Sequence, residues 1–176
     1  METKSNIRKA VEFMITAHDG QFRKFNGQEY AWHPAAVAKI VRNVKSSKNK
    51  DKICIAALLH DTVEDCDVTL DDIRVQFGEM VSSIVYELTS DDDKVKEMGK
   101  ANYLLNKMLR MTSYALVIKL ADRLHNCSDL ANGSQKFRDK YVKETRFILD
   151  GLNSRYLSDT HKKLMKMIDE EISKFE

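Results

Sequence analysis

ICIAALLHDTVED, residues 53–65, joins a strongly apolar stretch of the chain to a dense group of ionisable side chains. Ile53 to Leu59 are apolar almost all round, which marks a helix buried on every side rather than one with a wet face. The run passes directly into His60, Asp61, Glu64 and Asp65. On a continuing helix His60 shares a face with Glu64, and Asp61 with Asp65, because residues four apart stack. Burying a carboxylate without compensation costs on the order of several kcal/mol. Either this acidic end lies exposed in water and forms no site, or a cation compensates it, and a metal is the simpler source of that charge.

A second stretch repeats the pattern. Asp122 follows YALVIKLA, residues 114–121, one turn beyond Ile118 and one turn before Asn126. An acid on so apolar a helix needs a partner, and Lys119 or Arg123 on the same helix is an alternative to a metal. A set of two histidines and two aspartates offers borderline nitrogen and hard oxygen donors without a thiolate. Such a set suits Mn, Fe or catalytic Zn and leaves coordination positions open to water.

Outward from these two segments, helices are expected throughout, since glycine and proline number only 6 and 1 in 176 residues and period-two alternation is hard to find. Ile7, Val11, Met14, Ile15 and His18 share one face of a first helix that stops at Asp19-Gly20, with His18 read as a hydrogen-bonded core residue. QFRKFNGQEYAW, residues 21–32, reads as a polar loop. Pro34 then opens the helix AAVAKIVRNV at a first-turn position where its missing amide costs nothing. Thr69 is placed as an N-cap before one long helix, DDIRVQFGEMVSSIVYELTS, residues 71–90. The charged stretch 91–100 is either a mobile lid or a solvated loop. Two amphipathic helices follow Phe137, broken near Gly151, and serve as core cover or as a dimer face; the sequence does not specify an oligomeric state.

The fold class expected is therefore all-α, one compact domain over residues 1–176, in which 43% hydrophobic residues suffice for one core. The net charge of +2 gives no reason to expect nucleic-acid binding. No run of roughly 18 apolar residues predicts a membrane span and no leader is read at the N-terminus, so a cytoplasmic protein is expected. Cys54, Cys66 and Cys127 lack the paired spacing of a zinc knuckle and are read as ordinary helix or loop residues.

Arg23-Lys24 followed by NGQEYAWHP, then HDTVED, then VIKLADRLHN, in that order from about Ala17 to Asn126, resembles the HD-type hydrolase domain of the RelA/SpoT family, in particular its stand-alone small alarmone hydrolases. The resemblance implies that His33, His60, Asp61 and Asp122 are metal ligands, with Mn(II) the expected ion and other divalent metals possible. It implies that Glu64 and Asp65 organise the attacking water, and that Arg23, Lys24 and Asn126 contact a guanine-nucleotide substrate. The implied activity is removal of the 3′-pyrophosphate from (p)ppGpp, giving GDP or GTP and pyrophosphate. Action on another phosphorylated nucleotide or dinucleotide, or nucleotide sensing without turnover, are the alternatives. The loop departs from the family's RKSGEPY by one extra residue and the lack of a proline, and CSDLANG after Asn126 also differs. No synthetase activity is expected.

Overall fold

The computed structural model describes residues 2–175, with side chains from Asn6 onward. Secondary structure among the described residues is helical, as expected, apart from one isolated antiparallel bridge between Phe22 and Glu29. The chain forms two compact units, Met1–Thr89 and Ser90–Glu176.

The first unit is built around the apolar segment identified above. Helix α3 (Lys50–Leu58) packs against α1 (Glu2–Ala17), α2 (Trp32–Val44) and α6 (Glu79–Leu88). Every residue from Ile53 to Leu59 is buried. Each large aliphatic side chain so buried contributes roughly 1.5–3 kcal/mol relative to exposure, and this helix supplies several. Pro34 sits in the first turn of α2. Thr69 forms a full capping box with Asp72 at the start of α5 (Leu70–Phe77).

Two expectations for this part of the chain need correction. Residues 71–90 are not one helix, because Gly78 adopts φ 89°, which ends α5 and starts α6. Only glycine adopts this left-handed conformation at little cost. The apolar period runs through the break undisturbed, so it gave no sign of the turn. Likewise the helix through residues 53–65 does not continue: α3 ends at Leu58, and a separate turn of helix, α4 (Thr62–Asp65), follows.

In the second unit the charged stretch 91–100 is helical rather than a loop. Asp91 caps α7 (Asp92–Met98) by accepting from the Lys94 amide, and its main-chain N–H is held by the Tyr103 hydroxyl at 2.8 Å. Helix α8 (Lys100–Arg110) packs on α10 (Gln135–Leu152), and α9 (Ser113–Ser128) on α11 (Asp159–Ile172). The break expected near Gly151 falls just beyond it: Gly151 lies in the last turn of α10, and a Cβ there would overlap a Leu105 methyl, so glycine permits the close approach of α8 and α10. The break comes after Leu152, where the Arg155 guanidinium donates to the carbonyls of Met108 and Met111 at the end of α8. A cation at a helix C-terminus is favoured by the helix dipole. His161 caps α11: its Nδ1 accepts from the Ser158 amide at 3.1 Å, and its Nε2 lies 3.0 Å from the Ser113 carbonyl of α9.

Arg123 is nearly fully buried. It donates to Glu144 at 2.9 Å and to Thr145 at 2.8 Å, and lies over the Tyr141 ring. Burial works against its charge, but Tyr141 and Glu144 outweigh that cost and hold its pKa above the usual value. Burial also pushes the Cys127 thiol up to about 11 and raises Cys54. No helix among the described residues is long and apolar enough to cross a membrane.

Two outcomes are expected. Glu144→Ala strands the buried Arg123 charge and destabilises the protein by roughly 3 kcal/mol, seen as a fall in melting temperature of about 6–12 °C. Replacing both partners with apolar residues costs less. A thiol with a pKa of about 11 is thiolate in about one molecule per thousand at pH 8, so iodoacetamide labels Cys127 in denaturant and leaves it unmodified in the folded protein, as mass spectrometry reads out.

Candidate metal centre

The site in the first unit begins with the way α3 ends. A helix leaves its last carbonyls without intrahelical partners, and here side chains beyond the helix take them. His60 Nδ1 lies 2.9 Å from the Ala57 carbonyl, and the Thr62 hydroxyl donates to the Leu59 carbonyl at 2.9 Å. A carbonyl only accepts, so Nδ1 carries the hydrogen. Nε2 of the same ring is thereby left to take a proton or a metal ion.

That nitrogen faces Asp61, whose Oδ2 is 3.0 Å away. Asp61 occupies the N-cap position of α4 but makes no capping bond with its side chain, so its carboxylate points to the imidazole instead. His33 enters from the first turn of α2, its amide bonded to the Tyr30 carbonyl at 2.8 Å. Its Nε2 lies 3.5 Å from the same Asp61 oxygen, and the two imidazole rings have centroids 5.3 Å apart. His33 and His60 are 1% exposed and Asp61 8%, so the three donors meet away from bulk water. Two imidazole nitrogens converging on one carboxylate oxygen, with no thiolate near them, fit a borderline divalent ion.

A residue absent from the expected set completes this cluster. The Tyr30 hydroxyl lies 2.7 Å from Asp61 Oδ2 and 3.2 Å from Asp65 Oδ2, and bridges the two carboxylates. Asp61 and Asp65 thus share a face across α4, as four-residue spacing requires. The Asp65 carboxyl is raised above its usual pKa, first by partial burial and next by the Asp61 charge, with the Tyr30 bond opposing both. Glu64, one residue earlier, is exposed on α4.

Residues 21–30 form a closed hairpin rather than a plain loop. The Tyr30 amide donates to the Gln21 carbonyl and the Arg23 amide to the Gln28 carbonyl, both at 2.8 Å, and Gly27 turns the chain at φ 68°. Side chains alternate in such a ladder, so Arg23 shares a face with Gln21 and Tyr30 while Phe22 points away and is 62% exposed. Gln21 reaches the Asp65 carbonyl with its amide at 2.8 Å. Lys24 is exposed near the tip. His18 sits behind Tyr30, with ring centroids 4.8 Å apart, and its Nδ1 lies 2.9 Å from Gln21 and 3.3 Å from the Cys66 sulfur, the role of a hydrogen-bonded core residue.

Within the second unit, Asp122 is 7% exposed in the middle of α9. Lys119 pairs with its Oδ2 at 3.0 Å, and the Asn126 side-chain amide donates to its Oδ1 at 2.6 Å. Of the two local cations weighed from the sequence, Lys119 takes this carboxylate and Arg123 turns to Glu144.

The sequence profile of the HD domain family matches residues 10–156. A human guanosine-3′,5′-bis(diphosphate) 3′-pyrophosphohydrolase is 35% identical over 127 residues, which are 72% of this chain and 70% of that protein. A GTP pyrophosphokinase of Streptomyces coelicolor is 34% identical over 91% of this chain, but the chain spans only 19% of that protein's length. A solved structure described as a metazoan orthologue of SpoT that hydrolyzes ppGpp superimposes with a TM-score of 0.81 at 26% identity, covering 96% of this chain and 94% of the other. This chain belongs to the HD domain family and, within it, to the RelA/SpoT type.

Proposed function

We propose that this chain is a divalent-metal-dependent phosphohydrolase that removes the 3′-pyrophosphate from guanosine 3′,5′-bis(diphosphate) and its pentaphosphate homologue, leaving GDP or GTP. Residues 1–176 act as one functional domain in this proposal, in the cytoplasm. The observation that carries it is the pair of imidazole nitrogens, His33 Nε2 and His60 Nε2, at 3.5 and 3.0 Å from one Asp61 oxygen. Support comes also from the likeness to the human pyrophosphohydrolase over most of both chains.

In this proposal His33, His60, Asp61 and Asp122 hold the ion, and Mn(II) is the preferred one. A bound divalent ion supplies Lewis acidity and charge neutralisation for attack by water on phosphorus. His60 is oriented for this by its Nδ1 contact with Ala57, the kind of outer support that fixes a histidine ligand's tautomer. Glu64 and Asp65 accept the proton of the attacking water and hold its direction. Water supplies the new oxygen on phosphorus, and the bond to the ribose 3′ oxygen breaks. Arg23 and Lys24 grip the phosphates, the planar guanidinium by paired hydrogen bonds and the ammonium as a point charge. Asn126, bonded to Asp122 at 2.6 Å, lies near the nucleotide.

Purified protein incubated with the tetraphosphate and Mn(II) is expected to release GDP and pyrophosphate, with EDTA abolishing turnover and added Mn(II) restoring it. Product from a different nucleotide in a panel, and none from the tetraphosphate, overturns the substrate assignment. His60→Ala and Asp122→Ala are expected to lose metal content and activity together. Glu64→Gln keeps its metal and loses turnover by about 10²–10⁴-fold, and full activity in that variant removes the assigned role. Arg23→Ala raises KM by about tenfold, the pattern of lost ground-state binding.

A further inference from the structure

The hairpin 21–30 touches the candidate centre at both ends of its stem. Gln21 and Tyr30 lie opposite one another, joined by the Tyr30 amide and the Gln21 carbonyl at 2.8 Å. Gln21 donates to the main-chain carbonyl of Asp65, and Tyr30 reaches the side chains of Asp61 and Asp65. The turn of helix bearing Glu64 and Asp65 is therefore held by its backbone and by a carboxylate, in each case from the hairpin stem. α4 spans only Thr62–Asp65, too short for its own hydrogen bonds to fix it firmly.

We propose that Tyr30 is a positioning residue for the hydrolytic reaction. Its hydroxyl oxygen lies 2.7 Å from the Asp61 oxygen that faces both histidines and 3.2 Å from the Asp65 carboxylate, and sets the distance between the metal-holding and water-handling groups. The inference rests on the hydrolase reading given above.

Three features carry it. Two carboxylates side by side repel one another, and a donor between them offsets that repulsion, most at Asp61, which is buried while Asp65 is exposed. The phenol ring is fixed on both sides, by the His18 ring at 4.8 Å and the His33 ring at 5.6 Å between centroids, so the hydroxyl has little freedom to swing away. Finally, the stem that carries Tyr30 also carries Arg23 on the same face, so a phosphate drawn to Arg23 pulls on the element that positions the acids. Tyr30 touches neither water nor phosphate in this scheme. It acts through Asp61 and Asp65.

Tyr30→Phe keeps the ring and removes only the hydroxyl. Metal-free wild-type and variant proteins are titrated with Mn(II) by calorimetry, and kcat and KM for the tetraphosphate are measured at saturating Mn(II). The expected result is Mn(II) binding weakened about tenfold and kcat lowered at least about tenfold, with KM within about twofold of wild type. Tyr30→Phe combined with Asp65→Asn is expected to be no slower than Asp65→Asn alone, since the hydroxyl works through that carboxylate.

Wild-type kcat together with wild-type Mn(II) affinity in Tyr30→Phe overturns the inference. So does a metal-free melting temperature lowered by more than about 4 °C, which assigns the hydroxyl to general structure. If the wild type binds Mn(II) but releases no pyrophosphate, the hydrolase reading fails on its own. The titration of Tyr30→Phe then still decides whether the hydroxyl supports the Asp61 site, unchanged affinity overturning that and a tenfold loss upholding it.

Discussion

A helix that ends inside a hydrophobic core has carbonyls that water cannot reach, and each must find another donor or leave a polar group buried at a cost of about 1–3 kcal/mol. α3 meets this constraint with His60 and Thr62. The same hydrogen bond that completes the helix fixes which imidazole nitrogen is left facing Asp61. A requirement of folding and the preparation of a ligand are thus met by one contact. His33 is held comparably, its amide tied to Tyr30 just before α2 winds up.

The acids are supported from a different direction. Asp61 starts a helix of one turn, Asp65 ends it, and the hairpin before α2 supplies the groups that fasten both. Residues that are near neighbours in sequence therefore depend on partners some 30 to 44 positions earlier in the chain. In the second unit, Asp122 is held within its own helix by Lys119 and Asn126. That arrangement keeps a charged carboxylate in a nearly dry place, with a cation close at hand to offset it.

Much of this was legible before any coordinates. Apolar runs with ionisable ends located α3 and α9, and Thr69 announced the N-cap of α5, because hydrophobic pattern and local side-chain bonding act over a few residues. The break at Gly78 was not legible, since Met80 to Leu88 continue the period of the preceding helix, and a glycine inside a helical pattern is often tolerated. The helix at 92–98 was missed because nothing in it is buried; its stability comes from the Asp91 cap and from pairs such as Lys94 with Asp91 and Lys96 with Asp93. Tyr30 and Gln21 escaped notice for a third reason. Neither is charged, neither belongs to a period, and their significance exists only once the hairpin stem is laid against α4.

The end of α3 and the tip of the hairpin differ sharply in how they tolerate a change of chain length. A helix turns by roughly 100° per residue, so adding or deleting one residue between Lys50 and Ala56 would swing His60 and Asp61 together away from His33 and Tyr30. Between Gln21 and Tyr30 the stem is pinned at its base, and an inserted residue is taken up by the exposed turn around Asn26 and Gly27. The longer tip in this chain, relative to the shorter RKSGEPY form, is the kind of length variation this architecture absorbs, whereas α3 should be free to drift in composition but rigid in residue count.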